Sequence, residues 1–173
     1  MAPRPAPKET GTRLKGRLRV RGLHRLLSEI KLASVYRRRK AFHVQTNSIV
    51  EGVGAWAGDG PLVTLAAEAT ATELGHAVQG ALSVSRDNMP RLRSDESIAP
   101  ILEATGAKSW AAFTRGSLLV HVESSDPGGI SVQPCQNLGR GGFSHEGDCA
   151  WLPLGSGDAM IGEAVLAALG RCS

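Results

Sequence analysis

Residues 137–149, NLGRGGFSHEGDC, crowd glycines, an arginine, a histidine, two acids and a cysteine into thirteen positions. Three chemistries are open to such a segment. A phosphate cradle of the Walker type needs a glycine-rich run ending in Gly-Lys-Ser/Thr before a helix, so that backbone N–H groups and a lysine meet the phosphates. Here Gly139-Arg-Gly-Gly-Phe143 leads towards a strand and has no lysine, and the chain has no strand-to-helix GxGxxG either. A metal centre could draw on His145, Glu146, Asp148 and Cys149, but their packing within five residues lacks a two-plus-two ligand spacing, and no second close cluster is evident. A cysteine nucleophile could pair Cys135 or Cys149 with His121, His145 or His43, an adjacency that linear order does not show. Free cysteines behave mostly as small buried hydrophobes. The expectation is a protein with no catalytic set, no metal and no cofactor.

The three cysteines, Cys135, Cys149 and Cys172, are odd in number and contain no CxxC. They read as reduced thiols of a cytoplasmic protein. The acids offer another role. Glu51, Asp59, Glu123, Asp126, Glu146 and Asp148 fall in or beside expected loops and strand ends, and His145 lies among them. Loops on a rigid sheet are where binding surfaces lie, and acids there would meet a basic partner and speed encounter.

Those residues need elements to position them. LASVYRRR and KAFHVQTN (residues 32–47) carry β-formers and read as a hairpin turning near Arg39–Lys40. Two short apolar pieces follow: a strand around 49–56, then a turn at Gly58-Asp59-Gly60 and an extended piece over 61–65. Thr70-Ala-Thr-Glu73 is a capping box, and Leu74, Val78, Ala81 and Leu82 recur behind it at helical spacing, which predicts a helix over 71–84 with His76 on its exposed side. Ser94 or Asp95 can cap a second helix that stops at Gly106. Pro100 is tolerable there only in the first turn, where its missing N–H has no partner. Lys108–Phe113 reads as a short helical turn that buries Trp110 and Phe113. SLLVHVE (117–123) and ISVQP (130–134) read as antiparallel strands about a turn at Asp126-Pro-Gly-Gly129. CAWLPL (149–154) is a further strand, and Ser156 or Asp158 caps a last helix over 158–171. The fold class is α+β: one domain with an antiparallel or mixed sheet packed with about three α-helices.

The net charge of +4 is unevenly placed. Residues 1–30 hold eight basic side chains and two acids, a surplus of six positive charges, whereas the rest holds twelve basic and fourteen acidic. Two regions of different physics follow: a basic extension over 1–30, disordered or loosely helical, and a slightly acidic body over 31–173. Residues 1–11 have three prolines and little to bury. The extension reads most simply as the product of an upstream start codon. Its rival role, which would extend through the Arg37–Lys40 run, is nucleic-acid binding. No apolar run approaches the roughly 20 residues that span a bilayer, and no secretory leader is read at the basic N-terminus.

LASVYRRRKAF, LGHAVQGALSVS, PILEATGAKSW, NLGRGGFSH and IGEAVLAALGRC occur in that order. The series resembles the immunity proteins of bacterial contact-dependent growth inhibition (CDI) systems, from about Lys31 to Cys172. Its most specific pieces are Gly106-Ala-Lys-Ser-Trp110, Asn137-Leu-Gly139 with Gly142-Phe143, and Ile161-Gly-Glu163. The resemblance implies a cytoplasmic binding protein. Such a protein forms a heterodimer with the C-terminal toxin domain of its cognate effector, often a nuclease, and catalyses no reaction. It identifies no contact residues. The toxin-binding candidates Glu51, Asp59, Glu123, Asp126, His145, Glu146 and Asp148 rest on charge and loop position.

Overall fold

A computed structural model describes residues 30–139 and 142–173. The expected basic extension, apart from Ile30, lies outside the described residues, as do Arg140 and Gly141. The elements in chain order are β1 (Ile30–Arg38), β2 (Ala41–Ile49), β3 (Trp56–Ala66), α1 (Ala71–Val84), α2 (Ser94–Thr105), α3 (Trp110–Thr114), β4 (Ser117–Ser125), β5 (Gly129–Asn137), β6 (Phe143–His145), β7 (Ala150–Leu152) and α4 (Asp158–Leu169). The strands form one seven-stranded sheet in the order β3-β2-β1-β4-β5-β6, with β7 also on β5. Every ladder is antiparallel. The α+β class is therefore as expected, in its antiparallel form.

Strand alternation gives the sheet two unlike faces. Ala33 and Val35 of β1, Phe42 and Val44 of β2, Val120 and Val122 of β4, and Ile130 and Val132 of β5 are buried together against Leu74, Val78, Ile161, Val165 and Leu169 of α1 and α4. These two helices pack closely because two glycines face each other's backbone. A Cβ on Gly75 would sit 1.8 Å from the Asp158 carbonyl oxygen, and one on Gly162 would sit 1.8 Å from that of Ala71. Among the described residues, the opposite face is covered only at one end, where α2 and α3 bring Ile101 and Phe113 onto Tyr36, Leu119 and Cys135. Tyr36 and Phe113 meet edge to face with ring centroids 5.0 Å apart. Burial pushes the Tyr36 phenol up to about 12.

The helix over 71–84 forms as the sequence predicts. Thr70 Oγ1 accepts from the Glu73 N–H at 3.2 Å, and Glu73 Oε2 accepts from the Thr70 N–H at 2.7 Å. Three expectations are corrected. Gly58-Asp59-Gly60 is no turn but lies within β3, where the pairing with β2 shifts register between Gln45 and Asn47. A Cβ on Gly58 would lie 2.2 Å from Gln45 Nε2, so this glycine serves close approach. The chain instead reverses at 51–53, just after β2. Pro100 falls inside α2 rather than in its first turn. The last helix ends at Leu169, and its N-cap is Gly157, with no side-chain cap. Gly106 does terminate α2 in the left-handed conformation, with φ 64°.

Candidate functional site

The part of the outer face that no described residue covers is built from the alternate residues of four central strands. Cross-strand register sets them in rows. One row runs Gln45, Ser34, His121, Gln133 across β2, β1, β4 and β5. The next runs Asn47, Leu32, Glu123, Ser131, Trp151 and ends on β7. Apart from Gln45, these residues, together with Tyr36, Trp56, His145 and Cys149, enclose a concavity of about 490 Å³. Its floor is ordered: Asn47 Nδ2 donates to Ser34 Oγ at 2.8 Å, and Gln133 Nε2 donates to the Glu146 carbonyl at 2.9 Å, fastening the loop after β6. Trp151 is 65% exposed at the rim. An open basin with aromatic walls and a polar floor suits a protein partner, since aromatic side chains give large contact area and the polar groups fix register.

Two candidates from the sequence meet here, Glu123 on β4 and His145 on β6. Among the described residues, the Glu123 carboxylate has no ion-pair partner. The others are dispersed. Glu51 is exposed in the turn after β2, Asp126 at the tip of the β4–β5 hairpin, and Asp148 in the loop before β7. Glu146 Oε2 accepts from the Ser173 hydroxyl at 2.8 Å. Asp59 is held by Arg86 through contacts of 2.8 and 3.2 Å, and that hydrogen-bonded guanidinium holds its carboxyl below the ordinary range. The structure adds Trp56, Trp151, Asn47, Ser131 and Gln133. Asn47, Ser131 and Gln133 had a signal in the sequence, a polar residue at every second position of strands whose other positions are largely apolar; Trp56 and Trp151 had none.

The adjacency left open between cysteine and histidine is present. His121 Nδ1 and His145 Nε2 lie 3.0 Å apart, and Cys135 Sγ stands close to both ring nitrogens. Burial, then the neighbouring His145, drives His121 down to about 4, so its ring is neutral. Burial raises the Cys135 thiol to about 11, the opposite of what a thiolate nucleophile requires. All three cysteines are unpaired.

The segment that opens the chemical question is largely a clasp. Asn137 Nδ2 donates to the Thr114 and Ser117 carbonyls at 2.6 and 2.8 Å, and its Oδ1 accepts from the Gly139 N–H at 2.7 Å. Thr114 Oγ1 donates to the Gly139 carbonyl at 2.9 Å. Ser109 caps α3 through the Ala112 N–H, so both glycine-containing motifs serve the α2–α3 end of the sheet. The basic run splits as well. Arg38 donates to the Phe113 and Arg115 carbonyls at 2.6 and 2.7 Å, a structural role, while Arg37, Arg39 and Lys40 are exposed. No helix among the described residues is long and apolar enough to cross a membrane.

Comparison with known proteins bears on this arrangement. The family model described as CdiI, CDI immunity protein, matches residues 31–172. The fold is similar to that of NMB0488 from Neisseria meningitidis, a protein of unknown function, with TM-score 0.68 and 21% identity over 84% of this chain and 97% of that one. It is also similar to a chain of the CdiA-CT/CdiI toxin and immunity complex from Yersinia pseudotuberculosis, with TM-score 0.69 and 20% identity over 83% of this chain and 98% of that one. A comparison with curated proteins finds no match. The matched span coincides with the body that folds around the two-faced sheet, and the chain belongs to the CDI immunity protein family.

Proposed function

We propose that this protein neutralises the toxin domain of a cognate CDI effector by forming a heterodimer through the open face of its sheet. The reading is carried by the family match over residues 31–172 and is supported by the basin between Trp56 and Trp151. The toxin is a nuclease on this reading: its phosphate-binding surface would be basic and would meet Glu123 at the floor, with Glu51, Asp126, Glu146 and Asp148 on surrounding loops and His145 at the edge. Asp59, already neutralised by Arg86, contributes to the fold around β3 more than to the contact. The protein acts by occupancy, with no turnover, in the cytoplasm of the cell that makes the toxin. A standard interface would bury roughly 1,600 Å² in total.

Co-expression with the toxin domain encoded immediately upstream tests the reading. Protection of the cells and co-purification of a one-to-one complex are expected, and loss of both in Glu123→Lys combined with Trp151→Ala would place the contact in the basin. A wild-type chain that neither protects nor co-purifies would overturn the proposal. Protection that survives the double substitution would move the interface elsewhere.

A further inference from the structure

We propose that His121, Cys135 and His145 bind one transition-metal ion of the zinc class at the edge of the open basin, leaving its fourth coordination position free. The three residues come from three adjacent strands. His121 lies on β4, Cys135 on β5, and His145 on β6 directly opposite Cys135. Their ligand atoms all lie within 4.8 Å of one another. Tetrahedral zinc with Zn–N bonds of about 2.0–2.1 Å and Zn–S of about 2.3 Å sets such atoms roughly 3.3–3.6 Å apart. The two ring nitrogens, at 3.0 Å, are already near that spacing. The set must tighten to reach that spacing, and His145, the exposed member on a three-residue strand, has the room to move.

The donor set selects the ion. Two imidazoles and a thiol favour zinc, cobalt(II) or copper(I) over magnesium or calcium, which take oxygen ligands. A rigid position for each ligand also matters. His121 and Cys135 sit within long central strands, and Gln133, two residues from Cys135, ties the loop after β6 through the Glu146 carbonyl. Without a metal, the facing nitrogens can share only one proton between them, as a single imidazole–imidazole hydrogen bond. Both His121 and His145 line the basin, so the free position opens to water or to a ligand entering from that side. Linear spacing concealed the cluster, because residues 121, 135 and 145 match no short ligand motif and meet only through strand pairing. This inference stands whether or not the basin receives a toxin.

Titration of the reduced full-length chain with cobalt(II), followed by displacement with zinc, provides the test. One equivalent is expected to give the intense visible bands of tetrahedral cobalt and a near-ultraviolet thiolate-to-cobalt band. Cys135→Ser should remove the thiolate band. His121→Ala and His145→Ala should each weaken binding by more than about tenfold, since even outer-shell losses cost 10–100-fold. Cys149→Ser and Cys172→Ser should keep the thiolate band. Absence of saturable binding at one equivalent, a spectrum without a thiolate band, or affinity unchanged in both histidine variants would each overturn the proposal. If Cys135→Ser fails to fold, His145→Ala decides, because its exposed side chain lies outside both packed cores.

Discussion

Both ends of the Asn137 amide are engaged with main chain, two carbonyls accepting from its nitrogen and one N–H donating to its oxygen. Truncation would leave the part-buried Thr114 and Ser117 carbonyls without this partner, at about 1–3 kcal/mol. Asn137→Ala is expected to lower the unfolding free energy by about that amount in urea titrations. Asn137→Asp should be worse at neutral pH, because a carboxylate cannot donate and would face two carbonyl oxygens; a milder effect than alanine would refute the assigned geometry. Asp59 gives a prediction in pH. Its folded carboxyl lies below the unfolded value of about 3.9. The ionised form therefore contributes stability that is complete above that unfolded value and is lost as pH falls through the lowered folded one. Asp59→Asn should melt below wild type at pH 7, and the gap should narrow on acidification through this window. A gap that stayed constant with pH would mean that the Arg86 pair does not hold the carboxylate.

At the scale of elements, the α1–α4 contact rests on the absence of two Cβ atoms. Gly75→Ala or Gly162→Ala would drive a methyl into the other helix's backbone, and such overpacking costs about 1–3 kcal/mol. Each variant should lose stability in that range in chemical denaturation, although alanine is the better helix former by about 1 kcal/mol. Gly80→Ala on the exposed side of α1, with nothing within 4 Å, should instead gain stability. Elements whose ends have local chemistry were legible in the sequence: α1 from its capping box and periodicity, the β4–β5 hairpin from Asp-Pro-Gly-Gly, the stop of α2 from Gly106. Errors arose where tertiary context overrode local signals. Gly58-Asp59-Gly60 looks like a turn, yet Gln45 and the Asp59–Arg86 pair hold it extended along the edge strand. Pro100 is accepted inside α2 although a proline in a helix interior is unfavourable by about 3 kcal/mol. The basin was half legible, since alternation showed which residues face outward but gave no cross-strand neighbours; Trp151 beside Ser131 and Cys135 beside His145 needed the register.

For the molecule as a whole, two cores stabilise one sheet from opposite sides, and among the described residues only the α2–α3 end of the outer face is closed. Trp151 at the open end touches neither buried core, so Trp151→Ala should change folding stability by less than about 0.5 kcal/mol. Against the cognate toxin the same change should weaken binding by about 2 kcal/mol or more, as for a buried interface anchor. Calorimetry of folding and of complex formation on one preparation reads both numbers. A large loss of stability, or unaltered affinity, would show that Trp151 belongs to the scaffold.

In β1, β2, β4 and β5, neighbouring letters answer to different masters: every second residue is held in place by the helices beneath, while those between look outward. On the proposed docking mode, a lineage can therefore rewrite what this face recognises by drifting at the outward positions that α2 and α3 leave open, while the anchoring letters and Tyr36, Leu119 and Cys135 stay untouched. Gaining or losing a single residue in one of these strands would do the reverse, turning the outward letters inward and the valines out, so on that proposal new specificity comes by substitution.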